Sequence, residues 1–212
     1  MRSKALGGTI AGLMALVTVA VWQWLPERIP THWGISGEAD DWSNRWPGAF
    51  LLPAVALGLW LLLPVLRRLD PRRANYERFD ETFWLVLNLA LSFLAVMHLL
   101  TLGAAIGVVG DVTRWVIALL GLMMVVLGNY LPRVRSNWWM GVRTPWTLES
   151  ERVWRETHRL AGRTFMAGGL VAMLAALLPP ATRFWVGMGA LMLGAMVPVV
   201  YSYVLWRREV RE

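Results

Sequence analysis

The sequence predicts an all-α, polytopic membrane protein: six transmembrane helices in one bundle, with a short cytoplasmic amphipathic helix before the fifth. Three observations predict it. Six apolar runs occupy residues 6–25, 50–66, 83–107, 115–131, 164–178 and 184–205. A hydrocarbon core ~30 Å thick takes about 20 helical residues, so four runs fit, 115–131 is at the lower limit and 164–178 must borrow neighbours. Composition agrees, with 57% hydrophobic and only 17% charged residues, where a soluble domain carries about 25% charged. The third observation is how the Lys and Arg side chains are sorted. Of the 21, only Arg28, Arg45, Arg114 and Arg183 fall in the first, third and fifth loops; the other 17 lie at the termini and in the second and fourth loops. This positive-inside asymmetry places both termini in the cytoplasm. It also accounts for the basic balance without direct nucleic-acid binding.

Tryptophan supports the same boundaries. Of 14 indoles, only Trp60 lies well inside a run, and the rest mark run ends or loops, the headgroup level that amphipathic rings prefer. The chain has no cysteine, so disulfides and thiolate metal sites are excluded. The first run follows Arg2 and Lys4 like a signal peptide. It continues to Trp22, Trp24 and Leu25, however, and reads as a retained span.

The chain reads as a single domain over 1–212, with an outer loop at 26–48 and inner loops at 67–82 and 132–163. Connections 107–113 and 179–183 permit only helical hairpins, pairing spans three with four and five with six. Pro53, Pro64 and Pro198 lie inside spans, where each removes one amide donor. Gly8/Gly12 and Gly103/Gly107 have the spacing of close helix approach, which serves packing within the chain or a homodimer. Asn88 and His98 in span three, with Asn129 at the inner end of span four, are costly in hydrocarbon and should face the bundle and pair.

The outer loop gathers His32 with Glu27, Glu38, Asp40 and Asp41. His32, Asp40 and Asp41 offer imidazole and carboxylate ligands for a divalent metal, though their spacing matches no defined metal motif. The alternative is a rigid cap, its Asx turns closed by Asp40 or Asp41. The Leu25-Pro26-x-x-Ile29-Pro30-Thr31-His32-Trp33…Gly37-x-x-Asp40…Trp42 pattern resembles a small membrane-associated domain of unknown function from multi-span bacterial proteins.

The inner loop 132–163 is the most specific stretch. Thr147 suits an N-cap, Glu149 and Glu151 the positive end of a helix, and Gly162 its stop. Val153, Trp154, Thr157, Leu160 and Ala161 form its apolar side, and Glu151, Arg155 and His158 a row on the charged side. Arg143, between Gly141 and Pro145-Trp146, suits a carboxylate or a lipid phosphate. Arg143, Glu151 and His158 are expected to cluster with Asn129 and Asn137, held by a buried Arg–carboxylate pair.

The string Asn129…Pro132…Asn137…Gly141-Val-Arg143-Thr-Pro-Trp146-Thr…Glu151…Trp154…Thr157-His158-Arg-Leu-Ala-Gly162 resembles the signature of the sporulation-delaying-protein immunity family (SdpI family). The resemblance implies a bacterial plasma-membrane protein, and the leading reading is non-enzymatic, with no cofactor expected unless the outer loop holds a divalent metal. Such a protein would protect the cell from a secreted toxic peptide outside and hold a transcriptional repressor at the membrane inside. A metal-dependent hydrolase at His32, Asp40 and Asp41 is the alternative from a different class, and a small transporter a third.

Overall fold

The computed structural model describes residues 2–211. Helix α1 (Arg2–Val21) leads through a 3₁₀ turn into an antiparallel hairpin, β1 (Arg28–Trp33) and β2 (Ala39–Asn44). Helices α2 (Arg45–Leu69) and α3 (Asp80–Ala105) follow, linked by a 3₁₀ segment at Arg73–Phe79. Then come α4 (Val112–Tyr130), the short α5 (Pro145–Glu149), α6 (Glu151–Ala175) and α7 (Pro180–Glu209). The all-α class holds, with the hairpin as an addition.

Among the described residues, five segments are long and apolar enough to cross a membrane: Lys4–Trp24, Arg45–Leu69, Arg73–Ala105, Val112–Arg133 and Pro180–Glu209. Their outward faces carry bare leucine and valine, among them Leu13, Leu16, Leu61, Leu62, Leu193 and Val200. In water these would be a severe liability; against acyl chains they are the expected surface. The protein is a multi-pass membrane protein.

Helix α6 departs from the expected stop at Gly162, while the fifth run does borrow its neighbours. The amphipathic segment and the fifth apolar run form one continuous helix, so Gly162 does not stop it. Glycine there serves close approach: a Cβ on Gly162 would lie 2.8 Å from the Gly128 carbonyl of α4. One interval of seven residues away, Gly121 and Gly169 repeat the contact, where a Cβ on Gly121 would lie 2.6 Å from the Gly169 carbonyl. On the far side of α6, Gly168 meets Ala190 and Gly194 of α7. These are the close glycine approaches. Gly12 and Gly107 face open space, and Gly8 makes room for the Trp60 ring.

The bundle thus has two three-helix halves. Helices α1, α2 and α3 pack on one another around Phe83, Leu87 and Leu91, while α4, α6 and α7 pack around Ile117, Ala172 and Leu191. Within the membrane the halves meet where α3 packs on α4. In the first half, His98 lies 2.9 Å from Thr18 Oγ1 and 3.2 Å from the Met14 carbonyl, tying α3 to α1. Asn88 is buried on α3 two turns and more away.

Candidate functional site

Loop chemistry gathers at both ends of the bundle. At the arginine-rich end, the loop after α4 is folded around Asn137. Its Oδ1 accepts the amides of Trp139 (2.8 Å) and Met140 (2.7 Å), and its Nδ2 donates to the carbonyls of Arg135 (2.8 Å) and Met140 (3.0 Å). One fully buried side chain therefore replaces the backbone ladder that this loop lacks.

Asp70, at the end of α2, reaches in from the other half. It is 2% exposed. Its carboxylate accepts the Tyr76 hydroxyl (2.8 Å) and the amides of Arg72 (2.7 Å) and Trp138 (2.9 Å). Tyr76 Oη also lies 3.2 Å from Asn137 Oδ1. The Arg72 guanidinium bonds Ser136 Oγ and the Leu148 carbonyl, and Asn75 Nδ2 donates to the Ser136 carbonyl at 2.8 Å. A carboxylate satisfied by three donors tolerates burial that would otherwise expel it.

His158 closes the loop from α6. It sits among the buried residues, 1% exposed, not on the charged side where its chemistry suggested. Four residues from Trp154, it is turned only about 40° from that indole. The rings stack at 4.1 Å. Nε2 accepts the Val142 amide at 3.0 Å, so Nδ1 carries the proton and donates to the Trp154 carbonyl at 2.8 Å. The Trp154 indole donates to the Val134 carbonyl at 2.8 Å.

Burial pushes the His158 pKa down to about 4 from 6.5. A folded value below the unfolded one means stability present above pH 6.5 and lost as the pH falls towards 4. Lowering the pH from 7 to 5 should therefore cost roughly 2 kcal/mol. Protection factors at the amides of residues 136–147, in which the intrinsic pH dependence of exchange is divided out, are expected to fall over that range. Unchanged protection factors would show that the imidazole is not the titrating group.

Of the five side chains expected to cluster, three converge. Asn137 and His158 lie in the knot, and Arg143 Nη1 donates to the Trp138 carbonyl at 2.7 Å. Asn129 and Glu151 are exposed outside it. The braced ionic groups are Asp70 and Arg72, not Arg143 and Glu151. The helix starts also differ. Thr144 caps α5 in a capping box with Thr147, and Ser150 caps α6. The Trp146 indole donates to Ser202 Oγ of α7, and Ser150 Oγ donates to Glu209 at 2.8 Å, so the last turns of α7 join the knot.

The other end is the hairpin. Arg28 pairs with Asn44, Ile29 with Ser43 and Pro30 with Trp42, before irregular register brings His32 opposite Asp41. Fully buried Ile29 plugs the base against Leu25, Ala49 and Leu102. His32 Nδ1 and Asp40 Oδ1 are 2.5 Å apart on the exposed face, while Asp41 Oδ1 accepts the Trp42 amide at 2.8 Å. The pair is two members of the metal-ligand set of three; among the described residues no three His, Asp or Glu side chains gather to hold a metal.

The hairpin tip reaches the second half. Thr113 Oγ1 donates to the Gly34 carbonyl at 3.2 Å. Gly37, at φ +90°, lies so close over Asp111 that a Cβ would stand 2.7 Å from Oδ1. Asp111 caps α4 through the Arg114 amide and forms a two-point pair with Arg183 of α7, at 2.8 and 3.0 Å.

The structure thus defines a class: a helical multi-pass membrane protein whose two halves are tied by a polar knot at one end and a hairpin at the other. Residues 133–202 match the SdpI/YfhL protein family and residues 9–57 a domain of unknown function, DUF1648. The family resemblance read from the loop signature is borne out by these matches. Among curated proteins, the chain is similar to "Immunity protein SdpI" of Bacillus subtilis (strain 168), 26% identical over 171 residues, covering 81% of this chain and 80% of that one. No solved structure matches.

Proposed function

We propose that this protein gives its cell immunity to a secreted toxic peptide at the bacterial plasma membrane. The observation that carries this reading is the likeness to the Bacillus immunity protein over 171 residues. At four-fifths of each chain's length, the likeness extends well beyond either loop alone. In this reading the hairpin end faces outward, which the arginine distribution supports, with both termini and the knot cytoplasmic. The second half of α6 then completes a sixth crossing, shielded between α4 and α7. The hairpin offers the toxin exposed Trp42 and the His32–Asp40 pair. At the cytoplasmic end, the exposed charged side of α6, with Glu151, Arg152 and Arg155, is the surface for a transcriptional repressor.

Expression in cells sensitive to the sporulation-delaying peptide tests the reading, and survival close to that given by the Bacillus relative is expected. Killing equal to an empty-vector control, at equal membrane levels of the protein, would end it for that peptide. Orientation is tested in the same cells, since the chain has no cysteine of its own. A cysteine at exposed Ser36 should label from outside and one at exposed Arg208 should not. Ser150 is unsuitable because its hydroxyl caps α6 and holds Glu209.

A further inference from the structure

Between the two halves, just above the knot, lies a cavity of about 310 Å³. Leu63, Phe83, Ala90, Leu127 and Phe165 form its walls, and Val134 with the loop from Trp139 to Val142 closes it at the arginine-rich end. No charged or hydroxyl-bearing side chain lines it. A void of this chemistry does not hold water, and of its walls Leu63, Phe83, Ala90 and Leu127 belong to helices with membrane-length apolar spans. The surrounding solvent is therefore acyl chain.

Its rim has the opposite character. Arg133 and Arg135 flank Val134, and Arg143 follows Val142; all three are exposed. Arg133 lies over the Tyr130 ring at 4.8 Å, and Arg143 is held on the Trp138 carbonyl at 2.7 Å. Among the described residues none of the three forms an ion pair. Trp138 and Trp139, 51% and 40% exposed, stand beside them as indoles do at headgroup level. The rim therefore presents uncompensated positive charge over an apolar slot.

We propose that this cavity is a phospholipid site: one acyl chain of an anionic lipid fills it, and the lipid phosphate rests on Arg133, Arg135 and Arg143. Arginine binds phosphate through paired N–H donors, and the charge selects anionic over zwitterionic headgroups. The slot is walled by the Gly141–Val142 backbone that His158 holds. A bound lipid therefore stiffens the same loop from its membrane side.

Native mass spectrometry of the full-length protein, released from nanodiscs of equal phosphatidylglycerol and phosphatidylcholine, tests this. An attraction of roughly fivefold per arginine near an anionic headgroup sets the expected preference for one retained phosphatidylglycerol at about tenfold or more. Replacing Arg133, Arg135 and Arg143 together by Gln leaves the slot and should abolish the preference while lipid is still retained. Ala90→Phe fills the slot and should abolish retention. Because Arg143 also holds the Trp138 carbonyl, Arg133 and Arg135 are also changed alone, both being exposed and outside that bond. This double change should still lower the preference severalfold and decides the matter even if Ala90→Phe fails to fold. No retained lipid on the native protein would overturn the proposal. So would an unchanged preference in the triple variant, or wild-type retention by a folded Ala90→Phe protein. A photo-crosslinker at Val86 that captures a second copy of the chain or a peptide instead of lipid would overturn it too.

Discussion

Gly141→Ala is expected to destabilise the protein by roughly 3 kcal/mol or more, the sum of a backbone and a steric cost. Gly141 sits at φ +104°, where a side chain costs about 1–2 kcal/mol. Its Cβ would also lie 2.2 Å from His158 Nε2. That ring has no room to retreat: it stacks on Trp154 at 4.1 Å and is bonded at both nitrogens. Moving it strands the buried Val142 amide, so overpacking adds about 1–3 kcal/mol. Gly107→Ala is the control. Gly107 has φ +77° but faces open space, so only the backbone cost applies. Thermal unfolding of both variants in one detergent should show Gly141→Ala losing clearly more. Equal losses would mean that the imidazole contact does not constrain the loop.

That contact also shows what the sequence could and could not reveal. Apolar runs are local signals, and five of the six fall on the helices long and apolar enough to cross a membrane, because the bilayer imposes one length on all of them. The Asn137, Arg143 and His158 part of the knot was legible because a Gly, a Pro and polar side chains crowd a short stretch. Asp70, Arg72 and Tyr76 were not, since the residues they hold lie more than sixty positions away and no spacing rule links them. Asp70 did leave a trace, as a lone carboxylate followed by Pro71 among arginines. The hairpin escaped for another reason. Two register irregularities break its alternation, and β2 carries Asp40 and Asp41 where a strand usually places apolar side chains. Gly162 misled because glycine stops a helix when its neighbours are solvent and packs one when its neighbour is another helix. Only the fold decides between these.

Asp111→Asn is expected to cost about 3 kcal/mol and to free the hairpin from the second half of the bundle. Arg183 is the reason. Its side chain is 3% exposed, and Asp111 provides its two-point partner. Its Nε is buried without an acceptor, so the guanidinium is incompletely satisfied even in the intact pair. Neutralising Asp111 leaves a buried cation, the costly way to break such a pair. The reverse change should be milder. Arg183→Met puts an apolar chain in an apolar place and leaves Asp111, which is 42% exposed, to water and to its cap on the Arg114 amide. The double variant should therefore recover much of what Asp111→Asn loses, and the order of stability is wild type, then Arg183→Met, then Asp111→Asn. Because Gly37 rests on this same carboxylate, Asp111→Asn should also raise proteolysis of the 34–38 tip, read by limited digestion of protein in nanodiscs. If the hairpin receives the toxin and the knot reports it, uncoupling the tip abolishes protection while membrane level is retained. Asp111→Asn with native stability and an undigested tip would show that the two halves are joined at this end by the Thr113–Gly34 contact alone.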